Sequence, residues 1–212
     1  MIHTLLSGDL PRSRLLSAML VAIFAALALA PFLFPGTRPL DVAAKVCVFM
    51  LLVASYDLLL GYTGIVSFAH TMFFGIGGYG IAIALSRLEA GWSAIAIGTA
   101  AAVALSLVLS FLIGLFSLRV KAIFFAMITL AVASFFAILA SQLSNVTGGE
   151  DGITFKAPEL LRPVYRLLED PVLGVTIGGK FITYYLVFGA SLLLFLALLR
   201  VVNSPFGRVL LA

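Results

Sequence analysis

The sequence predicts an all-α, polytopic membrane protein with about six transmembrane helices and a cytoplasmic N-terminus. Of the 212 residues, 63% are hydrophobic and only 10% are charged, and the mean hydropathy is +1.21. A soluble domain is typically about half apolar and about a quarter charged. The apolar residues also fall into runs of about 20, long enough to cross roughly 30 Å of hydrocarbon. Lipid is therefore the predicted solvent for much of the protein surface.

Six apolar runs, separated by turn-forming or polar residues, are the candidate spans. Each is predicted to be helical, because an isolated strand would leave its backbone polar groups unsatisfied in lipid. In order, the runs are Leu15–Phe34, Val42–Leu60, Ile65–Leu85, Trp92–Phe116, Ala122–Leu143 and Phe181–Val201. A polar segment, residues 144–180, precedes the last span and forms a predicted outward loop. We expect residues 1–212 to form a single transmembrane domain.

The first run has a second interpretation, as a signal peptide. Ala28-Leu29-Ala30 has the small-x-small form of a cleavage site and follows a basic N-terminal region. The apolar run continues through Pro31 to Phe34, however, which makes it long enough to span. We therefore expect this segment to be retained as the first transmembrane helix.

Orientation follows from the placement of Lys and Arg, which are enriched in short cytoplasmic loops. With the N-terminus in the cytoplasm, more basic residues fall at the cytoplasmic ends of the spans than at the outer ends. The cytoplasmic ends hold Arg12, Arg14, Arg119, Lys121, Arg200 and Arg208. The short outer connections hold Arg38, Lys45 and Arg87.

Glycine is dense in the third span, where Gly75, Gly77 and Gly80 match the dinucleotide-binding pattern G-x-G-x-x-G. That pattern binds nucleotides after a strand and with an acidic residue about 20 positions later, and both are missing here. The glycines instead favour a broken or closely packed helix at membrane depth. The fourth span has a matching face of small residues, which predicts close helix packing. These residues are Gly98, Ala102, Ser106, Ser110 and Gly114.

Asp57 and His70 are the ionisable residues inside predicted spans that point to function. A charge in the middle of a membrane helix costs roughly 2.5–3.5 kcal/mol on insertion scales, so such residues usually face protein or a water path. Both flank a polar, glycine-rich stretch, residues 61–70. A pathway-lining role is one interpretation. The alternatives are that His70 only bonds a neighbouring helix and that Asp57 meets water at the membrane rim.

Catalytic and metal-binding patterns are missing from the sequence. It contains no GxSxG, HExxH or Walker A motif, so we expect no enzymatic activity and no ATP hydrolysis by this chain. Cys47 is the single cysteine, and neither Asp57 nor His70 has the neighbouring ligands that a coordination shell needs. We expect neither a metal nor another cofactor.

Four segments, in order along the chain, carry a family resemblance. Residues 57–85, DLLLGYTGIVSFAHTMFFGIGGYGIAIAL, resemble the signature of the permease subunit of branched-chain amino-acid ABC importers, a subunit type shared by urea and short-amide importers. KAIFFAMITLA at 121–131, TGGEDGI at 147–153 and SPFGR at 204–208 match further motifs of that family. The resemblance covers most of the chain from the second span onward.

The resemblance implies a multi-pass permease in the bacterial inner (plasma) membrane that translocates branched-chain amino acids. Its implied partners are a second homologous permease, two cytoplasmic ATPase subunits that use the ATP, and a periplasmic solute-binding protein. No nucleic acid is implied. The alternatives are a urea or short-amide permease, a stand-alone channel or secondary carrier, and an inactive truncated remnant.

Three groups of residues receive roles through the resemblance. The predicted substrate pathway consists of Asp57, Thr63, Ser67, His70 and Thr71. The loop predicted to face the binding protein consists of Thr147, Gly148, Gly149, Glu150, Asp151 and Gly152. The predicted start of the ATPase-coupling element consists of Ser204, Pro205, Phe206, Gly207 and Arg208.

The chain departs from the family pattern at several positions. The family usually has Asn in place of Asp57, Gly in place of Ala69, an acidic residue in place of Ser134 and Arg in place of Leu211. The coupling segment also normally continues into a cytoplasmic helix and further spans. We therefore expect the 212 residues to be roughly the first two-thirds of such a subunit, as a fragment or a truncated gene product, and to be incompetent for transport on their own.

Overall fold

A computed structural model of the protein describes residues 14–34, 36–117, 122–167 and 177–210. Within these ranges the chain is helical and has no β-strand, only one isolated bridge between Arg166 and Gly178. The helices are α1 Arg14–Leu33, α2 Thr37–Thr63, α3 Ala69–Arg87, α4 Trp92–Ser117, α5 Ala122–Gln142, α6 Ser144–Thr147, α7 Gly179–Val202 and α8 Pro205–Leu210. A 3-10 turn, Glu159–Leu161, lies in the segment between α6 and α7.

Five of these helices, α2 to α5 and α7, are long and apolar enough to cross a membrane. Each coincides with a predicted span, so the all-α polytopic fold class is confirmed. The helix at the first predicted span, α1, has 20 residues, Arg14–Leu33, and coincides with the first apolar run. The crossing by α1, and with it the count of six, stays a prediction.

The predicted boundaries of the second and third spans differ from the helices. The helix α2 is longer than predicted at both ends, Thr37–Thr63, and the third span begins at Ala69 rather than Ile65. Gly64 has φ +66, a left-handed conformation that ends a helix. Hydropathy does not register this stop, because Ile65 and Val66 are as apolar as the helix that follows.

The described residues form two compact units. Unit 1 comprises Met1–Thr63 with Leu160–Ala212, and unit 2 comprises Gly64–Glu159. Unit 1 therefore holds α1, α2, α7 and α8, and unit 2 holds α3 to α6. The single-domain organisation expected for the chain stays a prediction.

In unit 1, a proline in α1 is compensated by a tyrosine of α7. Pro31 has no N–H, so the carbonyl of Leu27, four residues earlier, lacks its helical donor. The hydroxyl of Tyr184, a residue that is only 1% exposed, donates to this carbonyl, and the hydroxyl of Tyr185 donates to the carbonyl of Ala28 at 2.9 Å. The freed carbonyl thus receives a hydrogen bond within the protein, as lipid requires.

Aromatic rings extend the contact between α1 and α7 on both sides of these hydroxyls. The ring centroids of Phe24 and Phe195 are 5.2 Å apart, and those of Phe32 and Phe181 are 6.1 Å apart at 82°. Both distances are typical of favourable aromatic pairs. The helix α7 also packs along α2, where Lys180 and Asp41 form an ion pair at 2.9 Å. Both charged side chains are substantially exposed, so this pair contributes little to stability.

In unit 2, α3 and α4 approach closely through glycine. A Cβ added at Gly80 would lie 2.8 Å from the Cβ of Ala102, and one added at Gly98 would lie 2.7 Å from the carbonyl oxygen of Gly80. The predicted close packing is confirmed here. The alternative of a broken helix within Gly75–Gly80 is wrong, since α3 is continuous and the chain leaves the helical conformation at Gly64 instead.

The outer surfaces of the long helices are apolar. Large side chains are more exposed than buried along α4 and α5, for example Leu107 at 64%, Phe111 at 67% and Met127 at 66%. A soluble monomer rarely exposes contiguous apolar surface on this scale. The exposure pattern is that of helices surrounded by lipid.

The predicted orientation is tested by none of these contacts. Residues 1–13 with Arg12, residues 118–121 with Arg119 and Lys121, and part of the predicted outward loop, 168–176, lie outside the described residues. The structure does offer two exposed positions at which the orientation can be measured, Glu159 and Val209.

We expect Glu159→Cys, in a Cys47→Ser background, to react from outside intact cells with a membrane-impermeant maleimide, because the loop it occupies is predicted to face outward. Val209→Cys is expected to react only after the membrane is permeabilised, and it serves as the control for sidedness. Labelling of Val209→Cys in intact cells, with Glu159→Cys protected, would reverse the orientation.

We expect Tyr184→Phe to lower the free energy of unfolding by about 1–3 kcal/mol, because it leaves the Leu27 carbonyl without a donor. In a Pro31→Ala background the helix supplies that donor, and the cost of Tyr184→Phe should fall. The measurement is unfolding in mixed micelles for the full mutant cycle. Tyr185→Phe is the control, since its acceptor at Ala28 does not depend on Pro31. Equal costs in both backgrounds would contradict the compensation.

Candidate functional site

The five predicted pathway residues are divided between the two units. Asp57 and Thr63 belong to α2 in unit 1, whereas Ser67, His70 and Thr71 surround the start of α3 in unit 2. Each group is therefore described within its own unit, and the joint pathway stays a prediction.

At the end of α2, Asp57 is exposed and its carboxylate lies over a glycine. A Cβ at Gly61 would be 2.8 Å from Oδ1 of Asp57, so the glycine leaves room for the carboxylate one turn earlier. The hydroxyl of Thr63 donates to the carbonyl of Leu59 within the same helix. Because Asp57 lies on an apolar span, exposure places its charge towards water, lipid headgroups or another protein.

Between α2 and α3 the backbone is non-helical from Gly64 to Phe68, a segment that we call the break. A threonine of α5 bonds this segment. Oγ1 of Thr129, which is fully buried, accepts a hydrogen bond from the backbone N–H of Phe68 at 3.1 Å. The same hydroxyl donates to the carbonyl of Ala126 at 2.9 Å. Thr129 thus uses both its donor and an acceptor lone pair, and it fixes the start of α3 against α5.

The side chains around the break are neutral and polar. Ser67 is buried, and its Oγ accepts from the N–H of Ala69 at 3.4 Å. Thr71 is exposed and donates to the carbonyl of Phe68 at 3.0 Å, while His70 is half-buried. Helix ends also leave N–H and carbonyl groups without partners in the helix. The segment therefore provides several donors and acceptors in an otherwise apolar stretch.

The position of this segment along α3 is also informative. From Ala69 to Arg87 the helix rises about 27 Å, close to the thickness of the hydrocarbon core. If Arg87 lies at one membrane interface, the break lies near the opposite one. The polar segment is then at one end of the membrane core and not at its centre.

The loop predicted to face a binding protein is a tight turn at the end of α6. Gly148, Gly149 and Gly152 have φ of +76, +63 and +72, and a Cβ at Gly148 would lie 2.1 Å from the carbonyl oxygen of Gly152. Thr147 is buried, and its hydroxyl donates to the carbonyl of Leu143 at 2.8 Å. The turn therefore depends on glycine, which adopts these left-handed conformations without strain. The carboxylates of Glu150 and Asp151 are exposed at its tip.

The predicted coupling segment forms a sharp turn into α8. Pro205 occupies the first helical position, and Oγ of Ser204 accepts from the N–H of Gly207 at 3.3 Å as a helix cap. Gly207 is buried, and a Cβ there would lie 2.0 Å from the carbonyl oxygen of Val202. The turn therefore requires glycine, while Phe206 is 63% exposed. The side chain of Arg208 and residues 211–212 lie outside the described set.

Comparison with protein families matches residues 38–212 to the permease component of the branched-chain amino acid transport system. The match covers all four segments that carry the resemblance and well over half of the chain. The chain belongs to this permease family. No curated protein and no solved structure matches it.

Membership makes the protein a multi-pass membrane permease component of an ABC-type transporter. The family is a transport family and not an enzyme family. The resemblance drawn from the sequence is therefore confirmed. The roles of individual residues and the absence of a cofactor stay predictions.

The role of Thr129 in fixing the non-helical segment before α3 was not predicted from the sequence of the permease. Thr129 lies inside the motif at 121–131, in a run of apolar residues, and its partner Phe68 is 61 positions away. A lone hydroxyl in an apolar span was the available signal, because such groups commonly bond another helix. Its partner could not be deduced without the fold.

We expect Thr129→Val in the permease to lower the free energy of unfolding by about 1–3 kcal/mol, because it leaves the Phe68 N–H unsatisfied at nearly constant volume. Thr183→Val is the matched control: its hydroxyl donates to Gly179 within its own helix, so its loss breaks no contact between helices. Unfolding in mixed micelles measures both variants. If Thr129→Val lowers the free energy of unfolding no more than Thr183→Val does, Thr129 does not fix the start of α3.

Proposed function

We propose that the protein is the translocation subunit of an importer for branched-chain amino acids in the bacterial inner membrane. It would work with a second homologous permease, two cytoplasmic ATPases and a periplasmic binding protein. The observation that carries the proposal is the family match over residues 38–212. The polar break between α2 and α3 supports it with a segment suited to substrate.

The chemistry of the break fits a zwitterionic solute. An amino acid carries both charges but no net charge, so it needs donors and acceptors without a fixed charge of one sign. Ser67 and Thr71 offer neutral hydroxyl groups of this kind beside His70, and helix ends add backbone N–H and carbonyl dipoles. With the predicted orientation, these groups would line the cytoplasmic end of the path. An uncharged amide such as urea would also be accommodated there, which keeps that alternative open.

The other two predicted regions fit docking roles. The turn at Thr147–Gly152 is conformationally restricted and presents two carboxylates, so a binding protein would meet a preformed acidic surface. On the predicted cytoplasmic side, α8 packs against α2 and exposes Phe206. Contact of an ATPase with α8 would reach α2 directly, which gives nucleotide state a route to the membrane helices.

We expect His70→Leu to reduce ATP-driven leucine uptake about ten- to a hundredfold in an importer that carries this region, since a hydrogen-bonding group in the path is lost. Thr71→Ala should reduce uptake less, by about three- to tenfold. Ser86→Ala is the matched control, because Ser86 also donates to a carbonyl three residues earlier in α3, but at the other end of the helix. The amount of each variant in the membrane is measured in parallel.

Competition and partner dependence separate the alternatives in the same assay. Inhibition of uptake by valine and isoleucine, but not by urea or acetamide, supports the proposed substrate class. Uptake by liposomes that contain the chain without ATPases would indicate a channel or carrier. Unchanged uptake in both His70→Leu and Thr71→Ala would remove the break from the pathway.

A further inference from the structure

Unit 2 contains a long apolar cleft, and among the residues given transport roles above only Thr71 and Thr147 line it. It has a volume of about 840 Å³ and is formed by α3, α4 and α5. Residues from Thr71 to Leu88 line it, a length of about 25 Å along α3. Its walls are mostly small or aliphatic, with Gly75 and Gly80 on α3 facing residues such as Ala102 and Ala137.

One end of the cleft carries a cation. Arg87, in the last turn of α3, lines the cleft, and its Nη2 donates to the carbonyl of Asn145 at 2.9 Å. Among the described residues no carboxylate forms an ion pair with it, Glu89 included. A guanidinium has five N–H donors, so Arg87 retains donors and its full charge for a ligand. An anionic group at this end of the cleft would be matched in charge.

The same end of unit 2 has the features of a membrane interface. Arg87 ends α3, and Trp92 begins α4 after a four-residue connection. Tryptophan and arginine concentrate where the hydrocarbon meets the headgroups. The cleft therefore runs from the headgroup level, at Arg87, into the depth of the hydrocarbon, at Gly75.

Charge and polarity restrict the occupant. The cleft offers a cation at one end and mostly apolar walls along the rest of its length. An amino acid would need polar groups along the walls, which are apolar apart from a few residues. An acyl chain is thin enough to lie between α3 and α5, and its headgroup would reach Arg87.

We propose that this cleft binds an anionic phospholipid of the surrounding bilayer. The phosphate accepts hydrogen bonds from Arg87, and one acyl chain lies along the face of α3 that carries Gly75, Tyr79 and Ile83. Phosphate is well matched to the planar guanidinium. The lipid would fill the space between three helices.

The single tryptophan of the chain, Trp92, is a built-in reporter of lipid at this position. The full chain is reconstituted with phosphatidylglycerol or phosphatidylcholine that is brominated near the top of the acyl chain. Quenching of the Trp92 fluorescence by bromine then gives the relative association of each lipid with the protein. We expect phosphatidylglycerol to associate about fivefold more tightly, which corresponds to about 1 kcal/mol for one arginine. Arg87→Gln should bring the ratio of phosphatidylglycerol to phosphatidylcholine association close to one, and Arg87→Lys should retain part of the preference.

Two controls isolate the cleft. Arg38→Gln removes an exposed arginine in unit 1 and should leave the ratio unchanged. Gly75→Leu places a side chain in the cleft, whereas Gly78→Leu adds the same side chain to α3 outside it, and neither Cβ meets another atom within 4 Å. We expect only Gly75→Leu to lower the preference for phosphatidylglycerol.

The possible outcomes divide clearly. Loss of the preference in Arg87→Gln and Gly75→Leu, with both controls unchanged, supports the lipid site. A preference that survives Arg87→Gln, or that falls equally in Gly75→Leu and Gly78→Leu, overturns it. Native mass spectrometry addresses a second copy of the chain as the occupant. A dimer that Gly75→Leu disrupts, while the lipid preference is unchanged, would also overturn the proposal.

Discussion

Lipid offers no hydrogen bonds to the backbone, and the internal contacts of both units follow from this constraint. Where Pro31 interrupts the hydrogen-bond ladder of α1, the hydroxyl of Tyr184 from α7 replaces the missing donor. Where the chain leaves the helical conformation before α3, the hydroxyl of Thr129 from α5 accepts from the backbone. In each unit a hydroxyl from another helix therefore bonds a backbone group at an interruption of the helical conformation. The buried hydroxyls hold positions that apolar side chains could not hold with the same specificity.

The spans could be predicted because helices that face lipid are apolar along their length, and this is visible as apolar runs in the sequence. Length, apolarity and order all agree with the helices, and the errors lie where hydropathy carries no information. The start of α3 is one such place, since the left-handed φ of Gly64, and not a change in polarity, ends the preceding helix.

The candidate sites differ in how far they could be predicted from the sequence. The segments Thr147–Gly152 and Ser204–Arg208 stand out in the sequence, since glycine and proline act on their own backbone and need no distant partner. Thr129 and Tyr184 act on residues 61 and 157 positions away, and their roles appear only when the helices are packed. The apolar cleft is likewise a product of packing, although the lone Arg87 at its end is visible in the sequence.

The close approach of α3 and α4 at Gly80 and Gly98 has a consequence for biogenesis. The two helices are joined by four residues, so their contact forms between neighbours in the chain and costs little loop entropy. Helical hairpins with such local contacts form quickly, whereas contacts between α2 and α7 must wait until more than a hundred further residues have been made. The α3–α4 pair is thus available as an early template within the bilayer. A larger side chain at Gly98 would act during insertion and assembly, before any transport step is possible.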